Sequence, residues 1–370
     1  MDYRKAANIS WKEFTVKRVL LVNYYGTCNE AGQPIGHSQK ALQEYSNLVK
    51  EQFIVSAAIS PCLTRGLNEE FEEIIPLKYD ISATGMKTLF ERIKDKFKLI
   101  ANIRYVLKRE GYDIVWFYRT DFFLFFYFFF KRKRKQPKMI GQVYQEEFVA
   151  GKLSKLLNYL YRKGALKFDG LIYTQKGMAN FHSNTLYIPD YYYDEKKYGK
   201  YKNIRKKEKA VCLGTMNPYK KLEELVEAFN ENGMQLEIKG YFYEKERFQK
   251  LLQIKKENIT IEDVVLSEDE YYCLLAEAKY SMLPYDMEQY GCRTSGVLQE
   301  SLFLNTISVA PKKLLEENEI DGIGYEKIEE MRNIQLFNET VIADNSATLL
   351  EYDRKEIQKK VVRFLDKEKE

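Results

Sequence analysis

Two kinds of hydrophobic pattern alternate along this chain. Compact apolar runs occupy residues 19–23 (VLLVN), 53–59, 112–118, 139–143, 169–174 and 186–188, and again 210–214 (AVCLG), 236–240, 259–261, 264–266, 280–283 and 307–310. Such short runs, rich in β-branched and aromatic residues, predict strands buried on both faces, as in parallel sheets. Between them, apolar residues recur at helical spacing over 38–50, 153–163, 222–229, 267–278 and 355–364, and most clearly over 86–111 through Leu89, Phe90, Ile93, Phe97, Ile100, Ile103 and Leu107. Strand, glycine-bearing loop, helix, strand is the order of a doubly wound α/β domain, and it runs through the chain twice.

The break between the two series is residues 197–209, almost wholly charged or polar, which reads as a linker. At 370 residues the expectation is two domains of ordinary size. The first is residues 1–195, the second is 205–345, and a closing helix around 350–370 packs back on the first. The hydrophobic fraction of 45% supports real cores, and the net charge of +5 is too small for a general polyanion binder, so nucleic acid is not an expected partner. Cys28, Cys62, Cys212, Cys273 and Cys292 show no metal or CxxC spacing, and the first residues lack an apolar signal-peptide core. Both point to the cytoplasm.

The chemistry concentrates in residues 278–310. An apolar strand stopped by Pro284 leads through a polar loop to Arg293, then to Thr294, Ser295 and Gly296 at the start of a helix that carries Glu300, then to another strand. The first N–H groups of a helix have no partner inside it, and the helix dipole adds positive potential, so this start suits an anion. Thr and Ser are good N-caps, Gly lets a ligand approach the backbone, and Arg293 adds a planar fork for phosphate. Glu300, about a turn and a half further on, suits sugar hydroxyls as an acceptor. The competing reading is an ordinary capped helix with an exposed glutamate.

This segment resembles the donor site of GT-B glycosyltransferases, particularly glycosyltransferase family 4. Glu300 matches the glutamate that holds the ribose of a nucleotide sugar in that family. A second family glutamate, eight positions earlier, is Cys292 here. The start of the second domain is similar as well: Gly214 ends its first strand, Lys220 falls at the phosphate-binding lysine, and Gly240 ends the next strand where the nucleotide approaches. Thr215 stands where the family has a basic residue, and Arg293 would compensate. On the acceptor side the resemblance points to Gly36 and His37 in the loop after the first strand, to Arg119, and to Glu146 or Glu147 as the polar group in the cleft. Asp190 and Tyr191 replace the family's Asn-Gly at the end of the first domain.

The resemblance implies two Rossmann-like domains facing a cleft. It implies transfer of a hexose from a nucleotide-diphosphate sugar to a glycan or lipid-linked acceptor, as in surface polysaccharide biosynthesis, with retention. No cofactor is expected beyond the donor, and no metal, because Lys220, Arg293 and the helix start can neutralise the departing diphosphate. Two alternatives stay open: a nucleotide-sugar epimerase, and a non-catalytic GT-B-like subunit, suggested by Cys292 and Thr215. Residues 122–130, nine apolar positions, precede Lys131-Arg132-Lys133-Arg134-Lys135. A helix of that length rises roughly 13–14 Å, far short of a ~30 Å hydrocarbon layer. Residues 122–135 therefore form either a core helix with a basic end or a patch on an anionic membrane, the inner face of the plasma membrane.

Overall fold

The computed structural model describes residues 16–28, 34, 38–65, 67, 71–82, 88–132, 137–144, 154–174, 181–290, 295–333, 337 and 344–367. The first sheet contains β1 (Arg18–Asn23), β2 (Ile54–Ile59), β3 (Ile74–Pro76), β4 (Ile114–Phe117), β5 (Lys138–Val143), β6 (Gly170–Tyr173) and β7 (Thr185–Tyr187). Its order is β3-β2-β1-β4-β5-β6-β7, parallel throughout. Helices α1 (Ser38–Val49), α2 (Leu89–Val106), α3 (Phe122–Phe129) and α4 (Ser154–Ala165) connect these strands. Side chains alternate across the sheet. Val19 and Leu21 enter a core shared with Leu42, Tyr45 and Trp116, whereas Leu20 and Val22 enter one shared with Leu99, Ile103 and Phe125.

The second sheet contains β8 (Lys207–Leu213), β9 (Gln235–Gly240), β10 (Ile259–Asp263), β11 (Ala278–Met282), β12 (Ile307–Pro311) and β13 (Ile323–Tyr325), in the order β10-β9-β8-β11-β12-β13, again all parallel. With it come α5 (Glu195–Tyr198), α6 (Leu222–Asn232), α7 (Lys245–Ile254), α8 (Glu268–Glu277), α9 (Met287–Tyr290), α10 (Gly296–Phe303) and α11 (Lys312–Asn318). Each sheet reverses its strand order once, between β1 and β4 and between β8 and β11. In open parallel sheets ligands bind outside the carboxyl ends of the strands at such a reversal.

The chain crosses between the sheets twice, side by side. Tyr193 donates its N–H to Tyr352 O (2.7 Å), and Arg354 N–H donates back to Tyr193 O (2.9 Å). A closing helix, Arg354–Asp366, then buries Ile357, Val361, Phe364 and Leu365 in the core of the first sheet. Lys138 donates to the carbonyls of Phe364, Leu365 and Lys367 at 2.7–3.0 Å, filling acceptors left open at a helix end.

Two expectations change, and the structure bears on one alternative left open. The polar stretch 197–209 is not a free linker: Lys197 lies in α5 as a half-buried ion-pair partner, and residues 207–209 are the start of β8. Residues 264–266 lie outside any strand, following β10 directly. In helix α3, Leu124, Phe125 and Phe128 are buried among Phe117, Tyr161 and Phe168, and the other five side chains are half-buried.

Candidate functional site

The second sheet's reversal is built from backbone constraints. Gly214, at the end of β8, has φ +91°, a region that favours glycine, and a Cβ on Gly240 would fall 1.6 Å from Gly214 O. The two glycines therefore mark where the ends of β8 and β9 cross. Beyond them, Met216 and Phe242 continue the pairing as an isolated bridge, and Thr215 stands half-buried at the turn.

Lys220 lies in the loop that follows, which Arg247 of α7 holds from outside by donating to Asn217 O and Lys220 O while paired with Glu223. The Lys220 ammonium is only 4% exposed. It donates to Leu213 O (2.9 Å), reaches Met216 Sδ (3.9 Å) and lies 6.0 Å from the Tyr285 ring centroid. Among the described residues no carboxylate pairs with it, and burial pushes its pKa below that of an ordinary lysine.

Ser295 is the N-cap of α10: its Oγ accepts from Leu298 N–H (3.3 Å) and lies 3.1 Å from Tyr285 OH. Packing also requires a glycine at position 296. A Cβ there would meet Tyr191 Cε2 at 2.2 Å, so the Tyr191 ring lies against the helix start. Tyr191 N–H donates to Gln299 Oε1 (2.8 Å). The residue that replaces a glycine in the resembled family thus docks the domain connection onto α10.

Glu300 is 4% exposed rather than a solvated surface residue. Its carboxylate accepts from Tyr271 OH (2.8 Å), from Tyr272 OH (2.9 Å) and from the Lys40 ammonium of α1, in the other domain. Burial, and after it the Glu300 charge, raises both tyrosine pKa values far above the ordinary, so both hydroxyls stay protonated donors. Next to this group, Lys197 bridges Glu44 of α1 and Glu268 of α8. Two lysines and three glutamates thus join the first turns of α1 to α5, α8 and α10.

Sequence reading missed Lys40, Tyr191, Tyr271 and Tyr272. Lys40 carried one usable signal, its place in the first turn of the helix that follows the glycine loop. On the first sheet, Arg119 follows β4, its guanidinium 5.1 Å from the Tyr25 ring centroid while its carbonyl accepts from Tyr24 OH (2.6 Å). Gly36, His37, Glu146, Glu147, Cys292, Arg293 and Thr294 lie outside the described residues. Among the described residues no cluster of His, Cys, Asp or Glu is arranged to hold a metal ion.

No protein-family model and no curated protein sequence matches this chain. Solved structures do. HepE of Anabaena, solved in complex with UDP and glucose, is 11% identical with a TM-score of 0.62, covering 94% of this chain and 99% of its own. AviGT4, a glycosyltransferase involved in avilamycin A biosynthesis, is 14% identical with a TM-score of 0.59, covering 94% and 97%. The UDP-GlcNAc 2-epimerase of Methanocaldococcus jannaschii is 13% identical with a TM-score of 0.51, covering 94% and 99%. At such identities the likeness is one of fold, and with the two reversed parallel sheets it identifies the architecture as GT-B.

Proposed function

We propose that this protein transfers a hexose from a nucleotide-diphosphate sugar to a glycan or lipid-linked acceptor, without a metal and with retention, in building a surface polysaccharide. One observation carries the donor half of the reading: the Lys220 ammonium is buried at the reversal of the second sheet with a carbonyl, a thioether and no carboxylate. A buried, unpaired cation is costly, and an arriving phosphate anion offsets that cost. Lys220 then neutralises the diphosphate as it departs, where negative charge grows in the transition state. The start of α10 and Arg293 supply further positive potential. Glu300 has accepting capacity beyond its three protein donors, and a ribose hydroxyl takes it. The family resemblance assigns the acceptor side to His37, Gly36, Arg119 and one of Glu146 and Glu147. HepE, with bound UDP, and AviGT4 support nucleotide-sugar chemistry on this architecture.

The epimerase neighbour keeps a second reading alive, and acceptor-dependent release of nucleotide separates the two. A third reading, a non-catalytic partner subunit, is favoured by the protein donors already on Glu300, and predicts nucleotide binding without turnover. The test is calorimetric titration of UDP, GDP and the matching nucleosides into wild type, Lys220→Ala and Glu300→Gln, with turnover assayed in excess chelator. Diphosphate affinity falls in both variants, and nucleoside affinity only in Glu300→Gln. Lys220→Ala lowers kcat on the order of 10²-fold, whereas Glu300→Gln chiefly raises the donor KM. Unchanged diphosphate affinity in Lys220→Ala overturns the reading, and turnover that needs added metal overturns its metal-independent part.

A further inference from the structure

The buried face of α2 is supplied by Leu99, Asn102, Ile103 and Val106. Asn102 fastens the helix to the segment just past β3, exchanging hydrogen bonds with the backbone of Tyr79 (3.1 and 2.9 Å). From Lys98 the helix extends back roughly 13 Å to Leu89 at the helical rise, and on the way Lys96 lies 3.7 Å from Asp121 and 5.0 Å from the Phe123 ring centroid. Of the apolar positions that recur along this helix, Phe90 is 76% exposed, Leu89 75%, Phe97 68% and Ile93 48%.

Helical spacing places Phe90, Ile93, Phe97, Arg104 and, just past the helix, Lys108 on one outward face. Its end near the cleft is aromatic and its far end cationic. At the far end Lys131 and Arg132, from the end of α3, line a recess of about 410 Å³ together with Arg104, Lys108 and Tyr127. Phe130, 65% exposed, lies between α3 and those cations in the chain. Among the described residues no carboxylate pairs with Arg104, Lys108, Lys131 or Arg132. No described helix is long and apolar enough to cross a membrane.

We infer that this outward face of α2, with Phe130, Lys131 and Arg132, docks the protein on an anionic lipid bilayer. Projecting aromatics suit the boundary between headgroups and acyl chains, and unpaired cations suit lipid phosphates. The surface centres on α2, whose Leu89, Phe90 and Phe97 are exposed, and not on the apolar run of α3, whose eight side chains are buried or half-buried. The apolar end of the face lies at the strand-end edge, the edge the donor site also occupies in its own sheet. The inference stands apart from glycosyl transfer, since docking needs no donor.

The experiment is sedimentation of the full chain with vesicles of phosphatidylcholine alone or with a third phosphatidylglycerol. Wild type sediments with the anionic vesicles at low salt and releases as salt rises. Phe90→Asp/Phe97→Asp lowers the partition coefficient at least tenfold. Each cation near an anionic surface is worth about a fivefold change, so Arg104→Gln/Lys108→Gln lowers it roughly 25-fold. Leu350→Asp, at an equally exposed position elsewhere, changes nothing. Circular dichroism and melting of each variant establish that it is folded. Equal indifference to both vesicles, or anionic binding that survives both double variants, overturns the inference. So does self-association of wild type in the absence of lipid that Phe90→Asp/Phe97→Asp abolishes, which would assign the face to a second copy of the chain.

Discussion

The Lys40 ammonium of the first domain donates to the Glu300 carboxylate of the second, and the contact is mostly hidden from solvent: the side chains are 25% and 5% exposed. Lys40 also lies 4.6 Å from the Tyr191 ring centroid, so the helix that opens the first domain, the domain connection and α10 meet at one cation. The ribose position of the proposed donor site is thereby tied to the opposite side of the cleft.

A double-mutant cycle over Lys40→Met and Glu300→Gln measures that tie. Removing Lys40 leaves a buried carboxylate with only the two tyrosine hydroxyls, so the single variant loses about 1–3 kcal/mol of unfolding free energy. The double variant loses less than the sum of the singles, with a coupling of roughly 1–2 kcal/mol. Additive losses in urea melts would mean that the pair carries no linkage between the domains.

Lys220→Met has opposite effects on stability and on binding. It replaces a buried, unpaired cation by an apolar chain of similar length, and the free protein should gain about 1–3 kcal/mol. The same change removes the stabilisation that UDP or GDP gives through mass action. Melting curves with and without nucleoside diphosphate check both halves. A variant less stable than wild type in the absence of nucleotide would show that the lysine serves the fold rather than a ligand.

Gly296→Ala puts a methyl group into the Tyr191 ring, and the ring cannot retreat without moving the domain connection. Overpacking of this kind costs typically about 1–3 kcal/mol. Tyr191→Ala on the same background opens the space, so the pair of changes should be less harmful than their sum. Strict additivity in thermal melts would contradict this packing.

The closing helix gives a pH signature. Burial pushes the Lys138 ammonium from the usual 10.5 down to about 8. Below pH 8 folded and unfolded chains are both protonated there, and the contribution is flat. Between about 8 and 10.5 the unfolded chain holds more protons, so stability rises with pH, by at most about 1.4 kcal/mol per unit. Lys138→Met lacks this rise, and subtracting its denaturant midpoints from those of wild type cancels the titrating tyrosines. No difference in slope between the two proteins would refute the assignment.

Strand and helix positions were legible in the sequence because burial on both faces of a parallel sheet forces continuous apolar runs, and surface helices force a period near 3.6. That sufficed for 11 of the 13 strands, β1, β2, β4 to β7 and β8 to β12, whereas β3 and β13, three residues each, left too little pattern. The capped start of α10 and the positions of Gly214, Lys220 and Gly240 were local features, set by backbone and spacing. What surrounds them was not. Whether Glu300 faces solvent or three donors depends on where α1 and α8 land, and Lys40 is separated from it by 260 residues. The same holds for Tyr191, whose ring lies where a Cβ on Gly296 would stand. Periodicity also marked Phe90 and Phe97 among the apolar positions of a helix over 86–111, because it fixes which residues share a helix face. Which face lies on the sheet is decided by the anchoring of Asn102 on the backbone of Tyr79 and the burial of Leu99, Ile103 and Val106, which turns Phe90 and Phe97 outward, and only the tertiary structure contains that information.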